Sequence, residues 1–229
     1  MTPVVRVNVQ RLEAALLGMA RECAVSDLHE ALPAQLRAAA TMSHRMRPLM
    51  LGIRMAGSAV TVRPAPGDNL MLHRALMLAK AGDVLVVAAD GIPAAQWGYL
   101  AALYAERIGL AGVVVHGNIR DADDLARMRY PVWATSIHPA HPEKKSAGEV
   151  NVSVSCDGVT VDPGDLVVGD GDGVIVIPRD LAASAVAATR KRAEDERVAA
   201  KQIAAGATLW DLHGLGERYL SLGIPEIES

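Results

Sequence analysis

The sequence predicts an α/β domain with a mixed sheet, and three observations predict it. Between Gly57 and Ala134, short apolar runs alternate with helical periodicities, the pattern of βαβ units. From Val150 to Ile177, strand signals crowd together with only Asp, Gly and Pro turns between them, which reads as antiparallel hairpins. Helical patterns flank both halves, including a long one rich in Ala and charge near the C-terminus.

Taken in order, Val9 to Ala20 has apolar residues at helical spacing. Ser26-Asp27-Leu28-His29-Glu30 reads as a helix start with Ser26 as N-cap and acids in the first turn, and Pro33 limits it. Arg45 to Pro48 reads as a connection. Gly57 to Val62 is the first strong strand, and 63–69 is a loop by its Pro, Gly, Asp and Asn content. Leu70 to Ala81 follows as a helix ended by Gly82. Val84 to Ala88 reads as a buried strand, Asp90-Gly91-Ile92-Pro93 as a turn, and Ala94 to Ile108 as one long helix with Gly109 past its end.

Val113 to Val115 is the next buried strand, ended by a His116-Gly117-Asn118 corner. Asp121 to Met128 is a helix, Val132 to Ala134 a strand, and Ser136 to Glu149 a polar loop. The hairpin strands are expected at 150–154, 159–161, 166–168 and 174–177, with Asp170-Gly171-Asp172-Gly173 as a tight turn. That turn lacks the distal acid of a calcium loop. Leu181 to Ala204 and Leu209 to Leu222 complete the chain as helices. No internal repeat and no linker divides it, so 1–229 is expected to form one domain with a core at about 26–205.

Composition narrows the function. Hydrophobic residues are 51% and charged residues 21% of 229, which excludes a disordered chain, and the absence of Phe makes the core aliphatic. The net charge of -3, with no basic tract, argues against nucleic acid as a partner. No apolar run approaches the ~20 residues of a membrane span. Two distant cysteines, Cys23 and Cys156, give neither a disulfide framework nor zinc spacing. A soluble cytoplasmic protein is expected.

Arg120-Asp121 has two readings. Asp121 can cap its helix, with Asp124 three residues on, leaving Arg120 as a surface cation. Alternatively, one carboxylate with water in the remaining positions suits Mg²⁺, and the neighbouring Arg offers a fixed fork to a carboxylate or oxyanion. Spacing alone favours the cap. Gly98 inside a helical pattern costs about 1 kcal/mol relative to Ala. Should the helix begin near Gly98 instead, its free N–H groups would form a carboxylate site. His138 and His141 read as solvated loop residues, and His116 has no identifiable partner. Lys144 and Lys145 read as solvated, with an extra substrate carboxylate as the sharper alternative. No Lys sits in an apolar run of the kind that would support Schiff-base chemistry.

The ordered set Gly57–Val62, Gly82–Val87, Gly98 with Leu100, Gly112–Asp121 and Asp172–Pro178 resembles the RraA-like family. That family includes the 4-hydroxy-4-methyl-2-oxoglutarate and 4-carboxy-4-hydroxy-2-oxoadipate aldolases. The resemblance implies a swivelling β/β/α domain, assembled as a homotrimer or homohexamer with active sites between subunits. It implies Mg²⁺ or Mn²⁺ on Asp121, and Arg120 against a pyruvate enolate. The pyruvate carboxylate would lie on the backbone amides of Leu100 and Ala101, after Gly98. Glu196, with Glu194 as alternative, would come from a neighbouring subunit to support a catalytic water. The expected activity is cleavage of a 4-hydroxy-2-oxo polycarboxylic acid to pyruvate, with oxaloacetate decarboxylation as a side activity. The alternative is a non-enzymatic regulator of a ribonuclease assembly. One departure stands out: Tyr99 occupies the catalytic position after the glycine, where family aldolases commonly carry Asp or Glu, and a phenol is neutral near pH 7.

Overall fold

Parallel strands buried on both faces form the centre of the main sheet. In the computed structural model, which describes every residue except Met1, Ile92, Glu228 and Ser229, the described residues fall into two compact units, Met1–Thr189 and Arg190–Ser229. The first unit opens with three short helices, α1 (Ala14–Glu22), α2 (Val25–Ala31) and α3 (Ala34–Ala40). There follow β1 (Arg47–Pro48), β2 (Met55–Arg63), α4 (Leu70–Leu76), β3 (Asp83–Ala88), β4 (Ala95–Trp97), α5 (Tyr99–Arg107), β5 (Gly112–Ile119), α6 (Ala122–Met128) and β6 (Val132–Ile137). Five short strands come next: β7 (Glu149–Val150), β8 (Val154–Cys156), β9 (Val159–Val161), β10 (Leu166–Gly169) and β11 (Val174–Ile177). Helix α7 (Ala182–Ala204) runs on into the second unit.

The main sheet has the order β1-β6-β5-β3-β2-β10-β11, with β4 added to the end of β5 and β7 to the end of β2. The β6-β5-β3-β2 core is parallel, and β1, β10 and β11 pair antiparallel on its flanks. Strands β8 and β9 make a separate hairpin. This is the mixed sheet that the change of pattern near residue 136 predicts.

Side-chain alternation sorts each central strand between two cores. Leu85, Val87, Val113 and Val115 join one cluster with residues of α4, α5 and α6. Val84, Val86 and Val114 join the other, with Met55, Trp133 and the β8–β9 hairpin. Burial on both faces explains why these strands read as continuous apolar runs. A third cluster seats α1, α2 and the start of α7 against Leu166, Val168, Ile175 and Ile177. Each fully buried Val, Leu or Ile contributes about 1.5–3 kcal/mol, so aliphatic bulk replaces the missing Phe.

Several elements differ from expectation, each for a physical reason. Helix α2 begins at Val25 with Ala24, not Ser26, at the N-cap, because the buried Asp170 carboxylate accepts from the Val25 N–H at 2.9 Å and does the capping from across the fold. Pro33 ends α2 as expected but also opens α3, which the sequence did not signal; a fixed φ near -52° suits a helix start. Arg47 and Pro48 of the expected connection form β1 against β6. Helix α1 lies a little later than expected and α4 is shorter. The expected strand 150–154 is split into β7 and β8 by Asn151, whose φ of 56° breaks the extended run. The expected 90–93 turn includes Ile92, which lies outside the described residues.

Two further differences shape the site. Residues 95–97 are not helical: Ala95 and Trp97 pair with Asn118 and Ile119 as β4, and the helix starts only at Tyr99. The His116-Gly117-Asn118 corner is not the end of β5, which continues to Ile119 through a register shift where Gly117 holds φ 149°.

In the second unit, α8 (Leu209–Leu212) is capped by Thr208, whose side chain accepts from the Asp211 N–H, and α9 (Leu215–Ser221) follows. Trp210 packs edge-on to Tyr219 with ring centroids 5.5 Å apart. Among the described residues no helix is long and apolar enough to cross a membrane.

Candidate active site

The extra length of β5 and the insertion of β4 bring two chain reversals together. Strand β4 ends at Trp97, Gly98 turns the chain, and α5 begins. Beside it β5 ends at Ile119, Arg120 and Asp121 follow, and α6 begins. The two corners are tied by the Arg120 N–H, which donates to the Trp97 carbonyl at 2.9 Å.

Asp121 sits at the N-cap position of α6 but does not cap it with its side chain. Its backbone is left-handed, φ 57°, uncommon for a residue other than Gly and tolerated by Asp. The carboxylate turns instead to α5, where its Oδ2 accepts from the Tyr99 N–H at 3.0 Å. The capping reading is therefore corrected: this side chain is directed to a neighbouring helix by a strained corner.

Gly98 leaves the space for that arrangement. A Cβ at this position would lie 2.6 Å from Asp121 Oδ2 and 3.2 Å from Arg120 Cγ. Its backbone is extended, φ -165°, so close approach rather than conformational freedom explains the glycine. Of the first three N–H groups of α5, the Tyr99 N–H serves Asp121, and those of Leu100 and Ala101 have no acceptor within the helix. Arg120 Nε is 3.8 Å from Asp121 Oδ2, with both side chains a little over one-third exposed. The Arg120 guanidinium also lies 3.4 Å from His141 Nδ1, so His141 is not simply solvated.

Apart from His141, these groups line one cleft of about 360 Å³, within the size range of small-molecule sites. Gly98, Tyr99, Leu100, Ala101, Arg120 and Asp121 are all on its wall. Asp124 is there too, paired with Arg127. Sequence reasoning missed Asn69 and His73, which line the same cleft without any motif to mark them; Gln96, beside the glycine motif, lines it too. Burial, and secondly the charge of Lys144, hold His73 below the ordinary imidazole value.

Glu194 and Glu196 stand on the second-unit part of α7, exposed and paired with Arg197 and Arg192 of the same helix. His116, unassigned by sequence, is buried outside the cleft. Its Nδ1 accepts from the Asp157 N–H at 2.9 Å, and its Nε2 lies 3.4 Å from Asp90 Oδ1. Burial, and secondly the Asp157 charge, push the Cys156 thiol up to about 12, in keeping with a strand residue rather than a nucleophile.

Among the described residues no group of three or more His, Cys, Asp or Glu is disposed to hold a metal. The donor set at the cleft is one fixed carboxylate, Asp121, with Asp124 on the same wall. That set fits a hard cation such as Mg²⁺, which keeps several of its waters, and does not fit zinc.

Comparison with known proteins identifies the family. Residues 23–176 match the RraA-like family, described as Aldolase/RraA. A protein of Halalkalibacterium halodurans, provisionally named 4-hydroxy-4-methyl-2-oxoglutarate aldolase, is 38% identical over 157 residues, covering 68% of this chain and 75% of the relative. A solved but uncharacterised protein of Pseudomonas syringae superposes with a TM-score of 0.77 at 26% identity, covering 88% of this chain and 98% of that one. Streptomyces coelicolor RraAS2, described as an unusual member of the RNase ES inhibitor RraA family, gives a TM-score of 0.73 at 29% identity over 84% of this chain and 98% of its own.

Proposed function

The chain belongs to the RraA-like family, and from that membership we propose that it is a divalent-metal-dependent lyase cleaving a 4-hydroxy-2-oxo polycarboxylic acid to pyruvate and a second 2-oxo acid. One observation carries the reading. The Asp121 carboxylate, seated on the Tyr99 N–H over a glycine that gives it room, shares a cleft with Arg120 and with two helix N–H groups lacking internal acceptors.

Each group has a task in that reaction. The N–H groups of Leu100 and Ala101, at the positive end of α5, bind the C1 carboxylate. Cleavage breaks the C3–C4 bond, and the electron pair passes through C3 onto the C2 oxygen as an enolate. The C4 hydroxyl loses its proton as C4 becomes a carbonyl, and C3 takes up a proton to give pyruvate. Arg120 meets the negative charge on the C2 oxygen, where stabilisation acts on the transition state rather than on bound substrate. A Mg²⁺ or Mn²⁺ held by Asp121 would supply Lewis acidity at the 2-oxo group. The same enolate arises when oxaloacetate loses CO₂. Glu196, or Glu194, is proposed to complete the site from a neighbouring subunit of a homotrimer or homohexamer.

The experiment is pyruvate release from oxaloacetate, and from the two aldol substrates, with Mg²⁺ or Mn²⁺ above the metal-only background. Activity removed by EDTA and abolished in Asp121→Ala is expected. Mixing Asp121→Ala with Glu196→Ala protein should restore part of it if sites are shared between subunits. The likeness to S. coelicolor RraAS2 supports the alternative, a ribonuclease-inhibitor type of regulator. Absence of pyruvate from all three compounds would select it.

A further inference from the structure

We propose that Lys144 reads a second carboxylate of the substrate, and that Asp68 is the positioning residue that holds Lys144 at the cleft. The inference rests on the lyase reading only for the identity of the group bound at the Arg120 end. The cleft of about 360 Å³ is far larger than six-atom pyruvate needs, and its remaining wall carries Asn69, His73, Pro142 and Lys144. The chemistry of that wall therefore selects what lies beyond C4.

The two adjacent lysines have different surroundings. Lys145 Nζ lies 3.4 Å from Glu143 Oε2, with both side chains largely in solvent, and such a pair discriminates little. Lys144 lines the cleft and has no carboxylate partner among the described residues. Its charge is felt at His73, the half-buried imidazole on the same wall, which burial first and Lys144 second keep neutral. That end of the cleft thus presents one permanent cation beside a neutral ring.

A lysine on a free loop would read nothing, because its own disorder would cancel the gain. This loop is fastened along its length. The His138 N–H donates to Ile119, the Ala140 carbonyl accepts from the Ala95 N–H, and the Glu143 N–H donates to Gly67 at 2.8 Å. The strongest tie is Asp68, which is 1% exposed. Its Oδ2 accepts from the N–H groups of Lys145 at 2.6 Å and Ser146 at 2.9 Å, while Oδ1 accepts from the Leu70 N–H at 2.7 Å. A buried carboxylate spent on three backbone donors brackets Lys144 from its C-terminal side. It also fixes Leu70, at the start of the helix that carries His73.

The test is calorimetric binding of two unreactive anions with Mg²⁺ in excess. Oxalate occupies only the Arg120–Asp121 end, and propane-1,2,3-tricarboxylate reaches further. The preference for the tricarboxylate over oxalate should fall about fivefold in Lys144→Met, the scale of a partly exposed charge pair. Lys145→Met should leave the preference in place. Asp68→Asn should lower it in the same direction, and the Asp68→Asn/Lys144→Met double variant should lower it no further than Lys144→Met alone. A merely structural Asp68 would weaken both anions together without moving their ratio. An unchanged ratio in Lys144→Met, an equal change in Lys145→Met, or no tricarboxylate binding by the parent protein would overturn the proposal. Failure of the lyase reading is seen separately, as absent pyruvate release from oxaloacetate.

Discussion

Replacing Gly98 with Ala isolates the contact on which the site reading depends. The backbone there is extended, so alanine meets no conformational penalty of its own. The new Cβ would stand 2.6 Å from Asp121 Oδ2, several tenths of an ångström inside ordinary contact, and 3.4 Å from Arg120 Nε. The carboxylate must swing away, giving up its bond from the Tyr99 N–H. Because the Asp121 side chain is 38% exposed, water can take over much of that bond. The stability cost is then about 1 kcal/mol, a fall in Tm of ~2–4 °C for a chain of this size. Function should suffer far more. Displacing a catalytic group by about 1 Å costs ~10²-fold, so pyruvate formation should fall about 30- to 100-fold, with weaker activation by Mg²⁺. Steady-state pyruvate release against metal concentration, with a thermal melt alongside, gives both numbers. Full activity and unchanged metal dependence in Gly98→Ala would refute the seating argument. Unfolding would refute the claim that the position is free of backbone strain.

Four other outcomes follow from particular contacts. Asp170→Ala removes the acceptor of the Val25 and Asp172 N–H groups, in a residue 6% exposed, and should cost about 2–4 kcal/mol in urea unfolding; a change under ~0.5 kcal/mol would mean α2 is capped otherwise. Tyr99→Glu should raise kcat if a missing carboxylate limits proton transfer, and an unchanged kcat would show that this position does not limit it. Cys156, buried and with its thiol pushed up to about 12, should resist thiol reagents at pH 8 until the protein is denatured; rapid labelling of the native protein would contradict its burial. Asp68 resists protonation in the fold: burial works to raise its pKa, but backbone N–H groups of Lys145, Leu70 and Ser146 prevail and lower it. A lowered carboxyl stabilises the native state above its unfolded value of 3.8, and that contribution is lost as pH falls through the folded value. Asp68→Asn should therefore flatten the acid limb of urea midpoints below about pH 4.

The sequence by itself determined the central strands of the sheet and marked the candidate site. Apolar runs at Val84–Val87 and Val113–Val115 read as strands covered on both faces, and Leu85 and Val86 do face different cores. The glycine and the Arg-Asp pair were legible because their order along the chain carries the family likeness. What the sequence could not supply is what depends on partners distant along the chain. Residues 95–97 have helical periodicity, yet pairing with Asn118 and Ile119 made them a strand and moved the helix start to Tyr99. Ser26 was a plausible cap until Asp170, 145 residues away, supplied a better acceptor to Val25. Asp121 likewise reads as a local cap, and only the fold reveals that its carboxylate serves α5. Local propensity differs between such alternatives by about 1 kcal/mol or less, and one long-range hydrogen bond or strand pairing outweighs it. Tertiary structure therefore decided where each polar side chain points, while the apolar pattern had already decided what it is mounted on.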